Sequence, residues 1–350
     1  MNEIKIEKLS PELRDDIISC VNDDSSLLRK LTLEHFMWQY EINPAGSIKG
    51  FGAYLDGKIV AVYIVSPVRF IVQNEIVTGA QSMSTLTLPI AQGRGLFKKL
   101  AKMTYSDIYE NSSIKLVYGF PNSNSVHGFT KHLNWTLLDP VPYLVRVLDT
   151  SYIFEKLKLS HGISIKIPPI PTVRLYQRIK INRIKDLPED IEGLWLKFRK
   201  NVKIGIVRDE KYLRWRFENR PSTAYYFIEA RNFTNELKGI AVLRVAEKYG
   251  GRIAYIMELM ADGNEKSVYS ELIKESIRMA HEHEAEIMVT WAIESDSNYR
   301  SLRSQFFFPL PRKLWPIELH FGFTTYDKNL QTFMSDRLNW HLSYSDSDTV

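Results

Sequence analysis

The first half of the chain changes its hydrophobic period once. Residues 49–88 predict an antiparallel series of strands, because apolar runs are separated by turn residues at Asp56-Gly57 and Gln73-Asn74. From Leu96 to Ile108 the apolar residues recur at helical spacing instead. A further apolar run, residues 114–120, predicts a buried strand. The predicted order is therefore a strand meander, an amphipathic helix and another strand.

The second half repeats this order and some of the sequence. "WQYEINP" begins at Trp38 and "WRFENRP" at Trp215, and their separation of 177 residues (215 − 38) is kept by the prolines that close them (221 − 44). A proline-rich stretch at residues 168–171 lies between the halves. Self-similarity at a fixed offset indicates an internal duplication. We therefore predict two domains, residues 1–165 and residues 166–350.

The composition is that of an ordinary globular protein. With 44% hydrophobic and 25% charged residues, and no apolar run long enough for a membrane span, the sequence predicts a cytoplasmic protein. The single cysteine, Cys20, excludes an internal disulfide and is expected to be a buried helix residue. A net charge of +5 is compatible with a nucleic acid, an anionic surface or an anionic small molecule, and does not choose among them.

The two halves differ most where the last strand of the meander leads into the helix. The first half has Gly93-Arg94-Gly95 there, followed by Lys98 and Lys99, whereas the second has Asp262-Gly263-Asn264-Glu265. Glycines let a phosphate approach the backbone N–H groups at a helix N-terminus, and the lysines add positive charge. We therefore predict a pyrophosphate site in the first half and expect the carboxylates of the second half to repel such a ligand.

The segment from Pro89 to Leu96 resembles the core motif of the GNAT superfamily of acyl-CoA-dependent N-acyltransferases. That motif runs from a strand through a proline, two residues, Gln or Arg, Gly-x-Gly and an apolar residue; Ile90 departs from the polar residue that often begins it. The resemblance covers both halves. It implies an α/β (α+β) fold of two tandem GNAT-like domains, each a mixed, mostly antiparallel sheet flanked by helices. It also implies an enzyme that uses acyl-CoA as a co-substrate and needs no metal.

The resemblance assigns roles to residues of the first half. Backbone N–H groups near Leu86 and Thr87 would polarise the thioester carbonyl, while the strand at residues 114–120 splays away to admit the pantetheine arm. The glycine segment would hold the pyrophosphate. The implied coenzyme contacts are Leu86, Thr87, Leu88, Gln92, Gly93, Arg94, Gly95, Leu96, Lys98, Lys99 and Asn124.

The usual proton donor of the family is missing. Thr130 stands where many relatives carry a tyrosine that protonates the departing thiolate. We therefore consider two nearby histidines, His127 and His132, because an imidazole suits proton transfer near neutral pH. His127 is the predicted catalytic residue. A histidine on a short helix is also commonly a packing or surface residue, and that alternative stays open.

The second domain is expected to be a degenerate copy that binds the acceptor. Segments of it resemble a bacterial group of tandem proteins found with surface-polysaccharide synthesis, which implies a nucleotide-linked amino sugar as the acceptor. Asp336, Asp346 and Asp348 can orient an ammonium group, but the terminal "SDSDTV" is more typical of a solvated tail. "HEHEAE", from His281 to Glu286, lacks zinc-binding spacing, so no metal site is predicted.

Two other functions remain open. A Fem-type transferase that uses aminoacyl-tRNA has a related duplicated architecture but needs a broad basic surface, and we expect no nucleic-acid partner. A non-catalytic acyl-CoA-binding protein is the alternative from a different class, with Thr130 marking lost catalysis. A homodimer is compatible with the sequence, which identifies neither the acyl chain nor the acceptor.

Overall fold

The computed structural model describes residues 3–24, 30–152, 165–168, 179–263 and 265–347. Its contacts divide the chain into two compact units. Unit 1 comprises Met1–Pro140, Asn219–Pro221 and Leu319–Arg337, and unit 2 comprises Val141–Glu218, Ser222–Glu318 and Leu338–Val350. Each unit therefore contains segments from both halves of the sequence. Within the described ranges, no helix is both long and apolar enough to cross a membrane.

Unit 1 is built on a mixed sheet. Its strands are β1 (Lys5–Lys8), β2 (Lys49–Leu55), β3 (Lys58–Val72), β4 (Glu75–Thr87), β5 (Ile114–Gly119), β6 (Thr136–Leu138) and β15 (Phe321–Thr325). They lie side by side in the order β1-β2-β3-β4-β5-β15-β6. β4 and β5 run parallel, and the other neighbours in this order pair antiparallel.

The meander of unit 1 turns where the sequence predicts. Asp56 and Gly57 join β2 to β3 with φ of 51° and 79°, and Gln73 and Asn74 join β3 to β4 with φ of 50° and 71°. Two-residue hairpin turns need such positive angles to match the right-handed twist of their strands. Both predicted turns are therefore confirmed.

Helices cover both faces of this sheet. They are α1 (Arg14–Asn22), α2 (Leu33–Phe36), α3 (Leu96–Asn111), α4 (Val126–Leu133) and α9 (Lys328–Met334). α3 connects β4 to β5 and buries its predicted apolar stripe, including Leu100, Ala101 and Ile108, against one face. On the other face Cys20 of α1 is buried, as expected, and burial raises the pKa of its thiol to about 12.

Unit 2 has a second mixed sheet with the same plan. Its strands are β7 (Tyr143–Val147), β8 (Ile179–Ile184), β10 (Tyr226–Asn232), β11 (Leu237–Lys248), β12 (Gly251–Ala261), β13 (Ile287–Trp291) and β14 (Phe308–Pro309). Their order is β14-β7-β13-β12-β11-β10-β8, and β12 and β13 are the parallel pair. A short strand, β9 (Ile204–Ile206), also belongs to this unit.

The helices of unit 2 complete the repeat. They are α5 (Ile191–Phe198), α6 (Glu210–Leu213), α7 (Lys266–Glu282) and α8 (Ser297–Ser304). α7 links β12 to β13, as α3 links β4 to β5, and buries Leu272 and Ile277 in the core. The predicted fold class, two mixed and mostly antiparallel sheets flanked by helices, is confirmed.

The duplicated sequences fold into the same local structure. α2 continues into a π-helical turn at Met37–Glu41, and α6 continues into one at Arg214–Glu218. Their N-caps are Thr32 and Asp209, again 177 residues apart (209 − 32), and each side chain accepts a hydrogen bond from the backbone N–H three residues on. The offset first seen in the sequence is therefore kept by the caps and the turns.

The two copies exchange their final strands. β7 follows β6 in the chain but lies between β13 and β14, and β15 follows β14 but lies between β5 and β6. The domain boundary predicted at residue 165 separates the two sequence copies. The compact units have different bounds because each of them contains the final strand from the other copy. Ile165 and Ile167, just before the proline-rich stretch, form backbone hydrogen bonds with Thr150 and Leu148 of unit 2. Residues 169–171 of the stretch lie outside the described residues.

Candidate functional site

The parallel pairing of β4 and β5 in unit 1 ends part-way along β4. The strands pair from Thr78 to Gln81 of β4, which then continues to Thr87. A cavity of about 510 Å³ opens where they separate. Its walls include residues 82–86 of β4, residues 119–122 at and beyond the end of β5, and one side of α4. The strands thus splay apart as the resemblance implied.

A β-bulge bends β4 at this separation. Tyr63 pairs with Thr85 and Val65 with Ser82, so residues 83 and 84 together face a single residue of β3. Bulges interrupt the regular ladder and redirect the strand, and they are common beside active sites. Here the bulged residues themselves line the cavity.

Aromatic side chains form a rigid wall of the cavity. Phe97, Phe129 and Trp135 line it, and the Trp135 indole N–H donates to the Tyr105 hydroxyl at 2.8 Å. The Tyr105 hydroxyl also lies 2.6 Å from that of Tyr63. Burial raises the pKa of both tyrosines. They therefore stay neutral and hold the indole in place, and they are poor proton donors near neutral pH.

The predicted glycine loop leads into α3 with the geometry that only glycine adopts readily. Gly93 and Gly95 have φ of 76° and 68°, and Gly95 is the N-cap of α3. A Cβ at either position would meet no heavy atom within 4 Å. The glycines are therefore required by their backbone angles, and open space lies beside the loop. The N–H groups of the first turn of a helix can bind an anion in such a space.

The surface beside the loop is positively charged. Lys98, Lys99 and Lys102 on α3 are exposed, and Lys131 lies on α4. Desolvation, followed by the charges of Lys98 and Lys131, lowers the pKa of His132. The exposed lysines themselves place positive charge beside the loop, which favours an anionic ligand.

The predicted coenzyme residues fall into four groups. Leu86 and Asn124 line the cavity. The residues exposed on the loop and the first turns of α3 are Gln92, Gly93, Arg94, Gly95, Lys98 and Lys99. The side chains of Leu88 and Leu96 are buried in the core, so these two residues can offer a ligand only backbone groups. Thr87 accepts a hydrogen bond at its carbonyl from the Gln92 side chain, 3.2 Å away.

The structure places the predicted catalytic histidine away from the cavity. His127 is exposed on α4 and is not among the described residues that line the cavity. Thr130, at the position of the family tyrosine, donates its hydroxyl to the Val126 carbonyl at 3.0 Å. Thr130 therefore makes an internal helix contact, and the role of His127 stays a prediction.

One cavity residue has a charge that the sequence did not point to. Among the described residues that line the cavity, Asp24 is the only one with a charged side chain. It follows the end of α1, far from the glycine motif in sequence. No periodicity or motif marks Asp24, and only the fold brings it to the wall of the cavity.

The corresponding cleft of unit 2 is filled. β12 and β13 pair up to Tyr255, and a bulge follows at residue 257, as in β4. Tyr344 belongs to the C-terminal segment Ser343–Ser347. The centroid of its ring lies 5.1 Å from the ring centroid of Tyr255 and 4.9 Å from that of Trp291. The C-terminal segment thus occupies the space between the separating strands.

A buried ionic network holds this segment in place. Arg208 Nε lies 2.7 Å from Glu258 Oε2, and Arg208 Nη2 lies 2.8 Å from Asp346 Oδ2. Ser343 Oγ donates to the same Glu258 oxygen at 2.9 Å. All three charged side chains are buried. The expectation of a solvated tail is therefore wrong for residues 345–347, whereas Asp348 lies outside the described residues.

The helix start of unit 2 carries carboxylates, as the sequence predicted. Asp262 accepts hydrogen bonds from Lys238 at 2.9 Å and from Lys197 at 3.4 Å, and Glu265 is the N-cap of α7. The lysines offset part of the negative charge at this site. Across the part of the chain that is described, no three His, Cys, Asp or Glu side chains converge as a metal site.

Comparison with known proteins agrees with this geometry. Residues 23–138 match the acetyltransferase (GNAT) domain family. A probable N-acyltransferase of unknown function from Enterococcus faecalis V583 has 15% sequence identity and a TM-score of 0.61, over 95% of this chain and 74% of that one. N-myristoyltransferase of Saccharomyces cerevisiae with bound myristoyl-CoA has 12% identity and a TM-score of 0.59, over 92% and 82%.

These matches establish a GNAT domain in the first half and the same fold along nearly the whole chain. At such low identity the solved structures show the fold alone. No curated protein matches this chain in sequence. The predicted enzyme class, a GNAT-type acyltransferase, is confirmed by the domain match, whereas the match leaves its substrates and its working residues undetermined.

Proposed function

We propose that unit 1 binds an acyl-CoA and transfers its acyl group to an amine, preferably the amino group of a nucleotide-linked amino sugar. The observation that supports this most is the cavity between β4 and β5, next to a glycine loop at the start of α3. An acyl-CoA is an extended molecule that needs both features: an anion site for its phosphates and a cleft for its pantetheine arm. Both lie in the part of the chain that matches the acetyltransferase domain.

The loop would hold the pyrophosphate through backbone groups. Gly93 to Leu96 present N–H groups at the positive end of α3, and Lys98 and Lys99 add charge within the first turn. The open space over both glycines would be narrowed by any Cβ. This arrangement suits a diphosphate better than a carboxylate, because several donors converge on it.

The bulged end of β4 would act on the thioester. The β5 side of β4 is no longer paired beyond Gln81 in the described strands, so backbone groups near Leu86 and Thr87 can face a carbonyl in the cavity. Donors fixed before the reaction stabilise the negative charge that develops on that oxygen. The amine nitrogen would bond to the carbonyl carbon, the carbon–sulfur bond would break, and the thiolate would take up a proton.

Two residues compete for the proton that the amine must lose. Asp24 lines the cavity, and its negative charge would attract an ammonium group and accept a proton from it. His127, the predicted catalytic residue, is exposed outside the cavity, so it would need a chain of water molecules to take this proton. We therefore propose Asp24 as the first residue to test and keep His127 as the alternative.

The second copy is proposed to bind the acceptor and not the coenzyme. Its cleft is filled by the C-terminal segment, and Asp262 and Glu265 stand where unit 1 has glycines. Like charges there would repel a pyrophosphate. A cytoplasmic location, where both substrates would meet the enzyme, is part of the same proposal.

The decisive experiment is a calorimetric titration of the full chain with acetyl-CoA and longer acyl-CoAs. We expect one site per chain, lost in Gly93→Asp. Gly57→Asp is the matched control, because Gly57 also has a positive φ (79°) and open space but lies in the β2–β3 turn. Two sites would overturn the assignment of unit 2, and no site would overturn the acyltransferase proposal. Loss in both variants would indicate misfolding and not a lost contact.

Thiol release with a panel of amines then tests the chemistry. We expect Asp24→Asn to keep acyl-CoA affinity and to lower turnover by about 10²–10⁴. The same result in His127→Ala, with Asp24→Asn normal, would assign the proton to His127. Binding without release for any amine would favour a non-catalytic acyl-CoA-binding protein, and salt-sensitive binding of aminoacyl-tRNA would favour the Fem-type alternative.

A further inference from the structure

A chain of hydrogen bonds in unit 1 ends at the cavity. The Trp135 indole N–H donates to the Tyr105 hydroxyl at 2.8 Å, and this hydroxyl lies 2.6 Å from that of Tyr63. The Tyr63 hydroxyl in turn lies 3.3 Å from Ser82 Oγ. Both tyrosines are buried in the core, whereas Ser82 is partly exposed and lines the cavity. The chain therefore connects the aromatic wall to one residue of β4.

The indole fixes the direction of this chain. An indole N–H can only donate, so the Tyr105 oxygen accepts its hydrogen. If Tyr63 also donated to Tyr105, the buried hydrogen of the Tyr105 hydroxyl would have no acceptor among the described residues, which is a costly arrangement. Each buried hydrogen has an acceptor when Tyr105 donates to Tyr63 and Tyr63 donates to Ser82. Ser82 Oγ then accepts a hydrogen bond, and its own hydrogen is left to be donated into the cavity.

The second copy shows that the fold itself needs no such chain. Ile256 occupies the place before the bulge of β12 that Ser82 occupies before the bulge of β4. On the neighbouring strand, two residues before the partner of each, Ala241 corresponds to Tyr63. Ile256 and Ala241 are buried and apolar. The copy with the filled cleft therefore lacks both hydroxyls, and a ligand in the open cleft of unit 1 is what can use them.

Ser82 lies at the inner end of the proposed acyl-CoA site. The phosphates would bind beyond the end of β4, at Gly93 to Leu96, so the pantetheine arm would run back along β4 toward its pairing with β5. Leu86 and Ser82 pair with residues of β3 that are three positions apart, which separates them by about 10 Å along the strand. With the thioester carbonyl held near Leu86, the Ser82 hydroxyl faces the acyl chain beyond the carbonyl.

A plain alkyl chain would leave this donor without a partner. Methylene groups that cover the Ser82 hydroxyl remove it from water and offer no acceptor, so an acyl chain with an oxygen at this depth is favoured. A carboxylate is a poor fit, because the described residues of the cavity wall include the carboxylate of Asp24 but no lysine or arginine. The simplest neutral acceptor is a hydroxyl group.

We propose that unit 1 prefers a hydroxyacyl-CoA, whose chain hydroxyl accepts a hydrogen bond from Ser82. This inference rests on the proposed acyl-CoA site and adds the chemical class of the acyl group. Butyryl-CoA, 4-hydroxybutyryl-CoA and succinyl-CoA all carry four-carbon chains and differ only at the last carbon. Calorimetric titration of the full chain should give an affinity for 4-hydroxybutyryl-CoA about tenfold above that for butyryl-CoA. Succinyl-CoA should bind no better than butyryl-CoA.

Substitutions test whether Ser82 makes this difference. Ser82→Ala should still bind butyryl-CoA but lose the preference for the hydroxylated chain, whereas Ser82→Thr keeps a hydroxyl and should keep the preference. Ser125→Ala is the matched control. Ser125 also lines the cavity, but its hydroxyl donates to Asn122 Oδ1 at 3.1 Å, so its removal should leave the preference unchanged. A purely structural role of Ser82 would change the affinities for both chains equally.

The possible outcomes separate this inference from the proposed function. Binding of none of the three thioesters would overturn the acyltransferase proposal and this inference with it. Equal affinities for butyryl-CoA and 4-hydroxybutyryl-CoA would overturn the inference alone. A preference that survives in the folded Ser82→Ala variant would do the same, because another residue would then recognise the hydroxyl.

Discussion

Removal of Arg208 is the most informative perturbation of unit 2. Its guanidinium is fully buried and contacts Glu258 at 2.7 Å, Asp346 at 2.8 Å and the Ile206 carbonyl at 2.8 Å. Arg208→Met keeps an unbranched side chain of similar length but removes the charge. Two carboxylates then remain buried without their shared cation, in the segment that fills the cleft of this unit.

The expected loss is large because the partners stay buried. Breaking a buried ion pair by removing one member costs about 3–5 kcal/mol of the free energy of unfolding, which corresponds to a fall of roughly 6–20 °C in Tm for a unit of this size. Urea unfolding followed by tryptophan fluorescence measures it, since Trp291 and Trp340 are buried in the same unit.

The matched control is Arg214→Met. Arg214 pairs with Glu210 and Glu218 one helical turn away on either side, but its side chain is 29% exposed. Exposed pairs of this kind contribute about 0.3–0.5 kcal/mol each, so the total loss should stay below about 1 kcal/mol. If Arg208→Met costs no more than Arg214→Met, the network does not stabilise the C-terminal segment.

The pH dependence gives an independent check. Burial acts to raise the pKa of Glu258 and Asp346, and the charge of Arg208 acts to lower both. The net result is a lowered pKa at Glu258 and a raised pKa at Asp346. Without Arg208, both folded-state pKa values should lie above the unfolded values. Protonation would then relieve the buried charges, so the deficit of Arg208→Met should shrink as the pH falls from neutral toward about 4. A deficit that is constant with pH would contradict this reasoning.

Three further variants and one chemical modification test the packing of the two units. Gly128→Ala should loosen α4 from α3, because the new Cβ would lie 2.8 Å from Phe97 Cε1. Gly193→Ala in α5 is the matched control: its Cβ meets no heavy atom within 4 Å, so the variant should stabilise the protein by about 0.5–1 kcal/mol. Thermal unfolding compares the two variants. Tyr105→Phe leaves the Trp135 indole N–H without its acceptor and should cost about 1–3 kcal/mol in urea unfolding. Cys20 should not react with a thiol reagent at pH 8 in the native protein but should react in urea, because burial raises its pKa to about 12; rapid native reaction would show that α1 opens.

Local signals in the sequence specify much of this fold. The turns at Asp56-Gly57 and Gln73-Asn74 are predictable because few residues adopt the positive φ that tight hairpins need. The apolar stripe of α3 is predictable because its period is local. Strand pairing at long range has no such signal. Nothing in the sequence of residues 321–325 indicates that β15 lies between β5 and β6.

The candidate site divides in the same way. Gly93 and Gly95 were found because a phosphate-binding turn has a local pattern, and their backbone angles agree with it. Asp24 was missed because its place on the cavity wall depends on how α1 ends beside β4. The burial of Asp346 was also missed, because a polar C-terminal sequence looks solvated unless the buried arginine that pairs with it is known.

Comparison of the two copies within one chain separates what the fold needs from what a ligand needs. The copies share their N-caps, π-helical turns, strand bulge and separating strands, so these features belong to the architecture. Besides the hydrogen-bonded chain that ends at Ser82, they differ at three places. Counted back from the strand ends Thr87 and Ala261, Ser84 of the open cleft corresponds to Glu258 of the filled one.

The other two differences are the glycine loop, replaced by Asp262 and Glu265, and the cleft itself, occupied in unit 2 by Tyr344. In the proposed complex, each of these three places would contact one part of the acyl-CoA: its pyrophosphate, its thioester carbonyl or its pantetheine arm. A random loss of sequence similarity would also have altered the caps and the turns. The differences concentrate at the positions that the proposed coenzyme would contact, which is what the proposed single coenzyme site in unit 1 predicts. The filled cleft explains how unit 2 keeps its separated strands without a ligand between them.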